Sequence, residues 1–212
     1  MPDRQSLIDR AIALSWFTIA YNLLEGVVSV YFGLSDDSMA LAGFGADSFI
    51  EVFSAALVLW RFRSETGGAC VPVERERRAT LGIGVLFVVL AAATAAGAAL
   101  QLRAGGHPQT TVPGLAISAI SLGFMFFLWR AKLRLAAALD SATVLKDAAC
   151  SLACIKLSVI LLLGSLLFMT SPALWWSDAA AAALLAVFIG LEGAQTIRAA
   201  TRADFVGGCG CA

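Results

Sequence analysis

Between residues 79 and 102 the chain reads ATLGIGVLFVVLAAATAAGAALQL, a run of 24 residues without a charged side chain. A helix of about 20 apolar residues spans the hydrocarbon core of a bilayer, so this stretch predicts a transmembrane helix. Five further stretches of similar character predict five more helices, at residues 11–34, 38–60, 112–129, 147–169 and 173–197. We therefore expect an all-α integral membrane protein with six transmembrane helices.

The overall composition agrees with a membrane protein. Hydrophobic residues make up 59% of the 212 residues and charged residues 14%, whereas soluble domains are about half apolar and about a quarter charged. The six runs and their short connections take up nearly the whole sequence. This predicts one transmembrane domain over residues 1–205 and a short Gly/Cys tail over residues 206–212. The first run is too long for a signal-peptide core, so we expect an uncleaved first helix.

Two function classes find no support in the sequence. The formal net charge is zero and no basic tract is present, whereas nucleic-acid-binding domains carry clustered Lys and Arg. No catalytic triad, phosphate-binding loop or zinc-hydrolase motif is present either. We therefore expect neither a nucleic-acid partner nor an enzyme, and no bound cofactor other than a transported ion.

The positive charges predict the orientation in a plasma or inner membrane, because cytoplasmic loops are enriched in Lys and Arg. If the six helices alternate in direction, Arg103 falls on one side and Lys156 lies inside span five. The other 13 of the 15 Lys and Arg residues fall on the opposite side: Arg4, Arg10, Arg61, Arg63, Arg75, Arg77, Arg78, Arg130, Lys132, Arg134, Lys146, Arg198 and Arg202. Both termini are therefore expected in the cytoplasm. The stretch 130–146 is expected to be a basic cytoplasmic connector.

Two carboxylates in span two form the first candidate site. Asp47 and Glu51 are four residues apart, which places them one turn apart on one helix face. Ionisable groups inside a membrane are costly and mark function by default. A divalent cation between the two carboxylates would relieve their repulsion. The alternative is that one or both are protonated, or pair with Lys156 or a neighbouring helix.

Span five carries a matching pair of thiols. Cys150 and Cys154 are also four residues apart, and Asp147 shares their face at helical spacing. Two such thiols are soft metal ligands, although Cys is also a common packing residue in buried helices. At 1.5 Å per residue, Glu51 and Cys154 lie at similar depth if the two helices run in opposite directions. Two carboxylates and two thiolates could then surround a tetrahedral Zn²⁺ or a softer ion such as Cd²⁺.

Span one carries a third set of polar side chains. Thr18, Asn22, Glu25 and Ser29 follow helical spacing. They could line a water-filled path, or they could make helix-to-helix hydrogen bonds, as small polar residues often do in membranes. Lys156 lies at nearly the depth of Glu25, so we expect a Glu25–Lys156 ion pair.

The spacing in spans two and five resembles that of the cation diffusion facilitator family. Span two of the family carries Asp-x-x-x-Asp, and residues 46–51, ADSFIE, are similar with Glu51 in the second place. Span five carries Ala-Asp followed by His-x-x-x-Asp or Asp-x-x-x-Asp, and residues 146–154, KDAACSLAC, fall in register with Cys in both ligand places. Residues 176–181, WSDAAA, are similar to the start of the family's sixth span.

The resemblance covers the membrane domain and implies a function. Family members have six spans, form homodimers and exchange metal for protons. By resemblance, this chain would export Zn²⁺, or a similar soft ion such as Cd²⁺, from the cytoplasm. The resemblance assigns the metal to four ligands and gives Asp147 a tuning or proton-relay role; the ligands are Asp47, Glu51, Cys150 and Cys154.

Three other functions stay open at this point. The tail ends in Cys209-Gly210-Cys211, which could capture a soft metal ion, and this favours an importer or intramembrane carrier of a thiophilic metal. A membrane thiol redox protein is a second alternative, although redox pairs usually follow Cys-x-x-Cys. A non-transporting membrane scaffold is the third.

Overall fold

The structure of the protein is a computed structural model. It describes residues 4–66, 73–104, 112–170, 174 and 176–202. These residues form helices and contain no strand. Each helix includes a stretch that is long and apolar enough to cross a membrane, so the predicted all-α architecture is confirmed. The six helices are α1 (Arg4–Ser35), α2 (Met39–Thr66), α3 (Val73–Ala104), α4 (Val112–Leu139), α5 (Ala142–Thr170) and α6 (Ser177–Thr201).

The basic connector predicted for residues 130–146 is wrong. Helix α4 continues to Leu139 and α5 begins at Ala142, so only a tight turn separates them. The helix continues because residues 131–139 are mostly Ala and Leu, which are strong helix formers. Lys132 is therefore a helical residue, and it is 1% exposed, inside the bundle.

The turn between α4 and α5 has the same construction as the turn between α1 and α2. Asp37 and Asp140 adopt left-handed φ values of 55° and 48°, which Asp tolerates better than most residues. The amides of Ser38 and Ser141 each donate to the carbonyl five residues back, the bond that closes a Schellman motif. Each Ser hydroxyl then accepts a bond from the amide three residues on, capping the next helix. Two tight helical hairpins result.

Small residues bring neighbouring helices into close contact. A Cβ added to Gly45 on α2 would lie 2.7 Å from Ser29 Cβ on α1. Gly84 on α3 and Gly193 on α6 approach each other in the same way. In membranes, helices associate through such small residues because lipid is as apolar as Leu and supplies little hydrophobic drive. The resulting close pairs are α1 with α2 and α3 with α6.

The first and last described residues lie at the same end of the bundle, here called the terminal end. Arg77 at the start of α3 donates to the carbonyl oxygen of Arg202 after α6. Arg61 near the end of α2 donates to Ser141 in the α4–α5 turn. At the opposite end, Asp178 at the start of α6 accepts bonds from Ser38. Alternating helix directions, the basis of the predicted topology, are therefore present.

The bundle is apolar outside, and its interior contains polar side chains among apolar ones. Leu24, Tyr31 and Leu100 are each at least 64% exposed on the outer surface, where lipid would cover them. Several hydroxyl and carboxyl side chains are instead buried at 2% exposure or less: Thr18, Ser29, Asp47, Ser48, Glu51, Ser118, Ser121, Asp147, Ser151 and Ser158. The functional question therefore concerns the polar interior.

Candidate functional site

Helices α2 and α5 bring a carboxylate and a thiol into direct contact. The Cys154 thiol donates to Asp47 Oδ2 over 3.2 Å, and both residues are 2% exposed. The thiol also lies beside Glu51, one turn along α2. The predicted meeting of spans two and five is therefore present for Asp47, Glu51 and Cys154.

Glu51 has a partner that the sequence analysis did not assign. The Lys132 ammonium on α4 lies 3.3 Å from Glu51 Oε1 and 2.8 Å from Ser151 Oγ. Ser151 in turn donates to the same Glu51 oxygen. Glu51 thus pairs with a neighbouring helix, as the alternative reading of the carboxylate pair allowed, but with Lys132 and not Lys156.

Asp147 completes this ionic network from α5. Its Oδ2 lies 3.0 Å from Lys132 Nζ, and its Oδ1 accepts a bond of 3.1 Å from Ser54 on α2. Both carboxylate oxygens are therefore occupied. One ammonium links two carboxylates and joins three helices, in a place where an unpaired charge would be costly.

Two carboxylate oxygens at the site have no partner within the described part of the chain. They are Asp47 Oδ1 and Glu51 Oε2, and both are fully buried. A buried acceptor without a donor is costly, so an unmatched one points to a missing ligand, ion or water. Both residues belong to α2 and lie beside the Cys154 thiol of α5.

Cys150 is separate from these three groups. It contacts Ser54 and lines a cavity of about 240 Å³ whose wall also includes Thr80, Lys146 and Glu192. Among the described residues, no three His, Cys, Asp or Glu side chains are already arranged to hold a metal ion. The predicted four-ligand set is therefore assembled in part: Asp47, Glu51 and Cys154 meet, and Cys150 does not join them here.

The cavity runs from the terminal end towards the carboxylates. Its wall includes residues near the ends of the helices there, among them Val58, Thr80 and Ala199. A smaller cavity is lined by Asp47, Lys156 and Glu192. Glu192 lines both cavities, so it marks the point where the wider space approaches Asp47.

The polar residues of α1 are only partly satisfied by hydrogen bonds, because Ser29 Oγ is buried without a partner among the described residues. Tyr21 and Ser48 donate to the two oxygens of Glu25, over 2.8 and 3.0 Å. Asn22 donates to the Thr18 carbonyl, while its own side-chain oxygen is buried without a partner. The Ser48–Glu25 bond joins α2 to α1, as the helix-to-helix alternative for these residues expects, whereas the other two bonds lie within α1.

The predicted Glu25–Lys156 ion pair is wrong. Both Glu25 oxygens are taken by hydroxyl groups, and Lys156 is exposed and lies beside Glu192 in the smaller cavity. Glu25 and Lys156 lie at similar depth along their helices, but depth alone does not determine which helix faces are in contact. The predicted capture residues Cys209 and Cys211, with the rest of the tail, lie outside the described residues.

Lys132 is the main functional residue that sequence reasoning missed. Its position between Arg130 and Arg134 suggested a basic loop. The signal that could have found it is its spacing from Ser118, Ser121, Met125 and Leu128, which all lie on the buried face of α4. Arg130 and Arg134 fall off that face and are exposed.

The six helices are long enough to cross a membrane, their outer surface is apolar, and charged side chains are buried between them. These features define a multi-pass membrane protein of the class that binds or transports ions. Residues 15–203 match the model of the cation efflux transmembrane domain. The chain therefore belongs to the cation diffusion facilitator family, of which it contains the transmembrane part. Metal cation transport is the general function that this family supports.

One curated relative is Transmembrane protein 163 of Xenopus laevis. It is 24% identical over 187 residues, which make up 88% of this chain and 66% of the relative. The chain thus spans just under two thirds of that protein's length.

Proposed function

We propose that this protein exports a soft divalent metal ion, Zn²⁺ or Cd²⁺, from the cytoplasm and binds it at Asp47, Glu51 and Cys154. The observation that carries the proposal is the pair of unpartnered, buried oxygens, Asp47 Oδ1 and Glu51 Oε2, beside the Cys154 sulfur. A cation placed there satisfies both acceptors at once. The mixed oxygen and sulfur donors favour Zn²⁺ and Cd²⁺ over Mg²⁺ or Ca²⁺.

Cys150 serves this function from the cavity wall. It lies one turn from Cys154 and faces the space that contains Glu192. We assign it as the first soft contact for an ion on its way to Asp47. It becomes the fourth ligand only if the side chains of α5 and α2 rearrange when the ion binds.

The cavity supports loading from the terminal end. It reaches the terminal end and is lined by Lys146, Cys150 and Glu192, among others. The excess of Lys and Arg at this end favours its placement in the cytoplasm. Loading from that side makes export the direction of transport.

Proton exchange follows from the ligand chemistry. A thiol must lose its proton to bind a metal ion, and so must any carboxyl group that holds one. The Cys154 proton, now donated to Asp47, is released when the ion enters. We extend the proposal to proton-driven exchange by a homodimer, as membership of the family suggests, with Asp147 holding charge next to the site.

Flux in proteoliposomes tests the proposal. Purified protein would be reconstituted, and uptake of Zn²⁺, Cd²⁺ and Mn²⁺ would be followed with a pH gradient of either sign. We expect Zn²⁺ and Cd²⁺ flux that reverses with the gradient, and little Mn²⁺ flux. Asp9→Asn changes an exposed carboxylate at the start of α1. It is the matched control for variants of the buried carboxylates and should transport like the parent. Metal flux that ignores the pH gradient would contradict the exchange.

A further inference from the structure

The buried side chain of Lys132 places a positive charge of the protein itself beside the proposed metal site. Lys132 Nζ has three donors, and all three have partners: Glu51 Oε1 at 3.3 Å, Asp147 Oδ2 at 3.0 Å and Ser151 Oγ at 2.8 Å. The side chain is 1% exposed, so no water replaces these bonds. The ammonium is therefore fixed by two helices other than its own.

Glu51 belongs to both the Lys132 network and the proposed metal site. One of its oxygens binds Lys132 and Ser151, and the other has no partner. A divalent ion at Asp47 and Cys154 would recruit the free oxygen. The ion and the ammonium would then share one carboxylate, and their mutual repulsion is strong in a low-dielectric interior.

We propose that Lys132 is a tethered competitor of the transported ion: its ammonium occupies Glu51 when the metal is absent and withdraws to Asp147 when the metal binds. Asp147 makes this withdrawal possible because it already holds the ammonium at 3.0 Å and is itself held by Ser54. The inference rests on the proposed function and adds a positioning residue that acts through Glu51.

The exchange has two consequences for transport. Glu51 is never left as an unpaired buried carboxylate, because the ammonium returns when the metal leaves. Returning positive charge also favours release of the metal, so the site binds less tightly than its three ligands would alone. A transporter needs this balance, since an ion that binds too tightly is not released.

A purely structural Lys132 would behave differently. An ion pair that only holds α2, α4 and α5 together would lower stability when removed, and a loosened site would bind metal less tightly. A competitor predicts the opposite sign for metal affinity. The direction of the affinity change therefore separates the two roles.

The test is equilibrium Cd²⁺ binding to the purified full chain, measured by competition with a coloured chelator. Cys70, Cys209 and Cys211 would be replaced by Ser to remove other thiols. We expect Lys132→Gln to bind Cd²⁺ about tenfold more tightly or better, in line with the coupling seen for close buried charge pairs. It should also release Cd²⁺ more slowly in stopped-flow measurements. Lys132→Arg keeps the charge and should retain parental affinity.

Arg130→Gln is the matched control, because it removes a positive charge from the exposed side of the same helix. It should leave Cd²⁺ affinity unchanged. If Lys132→Gln does not fold, the double variant Lys132→Gln/Asp147→Asn removes the ammonium together with one carboxylate. The double variant should bind Cd²⁺ about tenfold more tightly than Asp147→Asn alone.

Each outcome decides the inference. Unchanged or weaker Cd²⁺ binding in folded Lys132→Gln, or in the double variant against Asp147→Asn, overturns the competitor role and leaves the proposed metal site intact. Absence of Cd²⁺ binding in the parent would remove the proposed function and this inference together.

Discussion

Asp47 and Glu51 lie one turn apart on α2, yet they have very different surroundings. Glu51 is held by the Lys132 ammonium and a hydroxyl group. Asp47 accepts a hydrogen bond from the Cys154 thiol and keeps one buried oxygen without a partner within the described residues. The negative charge of Glu51 is thus balanced by a positive charge of the protein, and that of Asp47 is not.

Under the proposed function, this difference marks Asp47 as the place where an external cation would bind. Burying a carboxylate is expensive unless it is paired or neutralised. The protein supplies a cation of its own, the Lys132 ammonium, to Glu51 and Asp147, and in our proposal Asp47 is left to an ion that arrives from outside. In the proposed site, Asp47 would then be the primary metal ligand, and Glu51 would be a ligand that Lys132 must release.

The largest effect should come from Asp47. Asp47→Asn keeps the size of the side chain and removes the uncompensated charge. Changing a residue that only supports a metal ligand already costs about 10- to 100-fold in affinity, so we expect this change of a proposed ligand to weaken Cd²⁺ binding by at least about 100-fold. Isothermal titration in detergent would measure it.

Ser48→Ala is a useful second variant for that experiment, because it changes the neighbouring residue and removes bonds to Glu25 and to the Phe44 carbonyl, neither of which involves Asp47. Its metal affinity should stay within about threefold of the parent, which is worth less than about 1 kcal/mol. If Asp47→Asn bound Cd²⁺ as tightly as the parent, Asp47 would not be part of the metal site.

Removing a carboxylate from the Lys132 network should lower the free energy of unfolding. Asp147→Asn removes one of two carboxylates that hold the Lys132 ammonium. A hydrogen bond to a charged group contributes about 1.5–3 kcal/mol, so we expect a loss of that order in the free energy of unfolding, measured by detergent denaturation. Asp140→Asn is the control, because Asp140 is exposed in a turn where Asn also tolerates the positive φ. Equal stability of the two variants would mean that the network contributes nothing.

The two cysteines should differ in the same way as the two carboxylates. Cys154 contacts Asp47, whereas Cys150 lies on the cavity wall. We expect Cys154→Ser to lower the preference for Cd²⁺ over Mn²⁺ by about tenfold, because it exchanges a soft ligand for a hard one. Cys150→Ser should change that preference much less. Competition between the two ions measures both, and equal effects would place both thiols on the bound ion.

The smallest effect is expected from an ion pair outside the bundle. Arg78 and Glu74 lie 3.2 Å apart on α3, with side chains 77% and 59% exposed. Exposed pairs of this spacing contribute about 0.3–0.5 kcal/mol. Glu74→Gln should therefore change the free energy of unfolding far less than Asp147→Asn does. A similar loss in both variants would show that burial does not set the strength of these pairs.

Local sequence rules predicted the fold and half of the site. The long uncharged runs predicted the six helices, and the four-residue spacings predicted that α2 and α5 present Asp47, Glu51 and Cys154 at matching depth. Lys132 escaped because its position between Arg130 and Arg134 suggested a basic loop, and the carboxylates that offset the cost of burying it come from two other helices. Such partners depend on which helix faces meet, and no local pattern specifies that.

The most direct test of the central claim is X-ray absorption at the cadmium edge, on protein in which Cys70, Cys209 and Cys211 are Ser. If Asp47, Glu51 and Cys154 bind the ion, the spectrum should show oxygen ligands with one sulfur. The sulfur signal should disappear in Cys154→Ser and persist in Cys150→Ser. An all-oxygen shell in the parent, or a sulfur signal that survives in Cys154→Ser, would contradict the assignment.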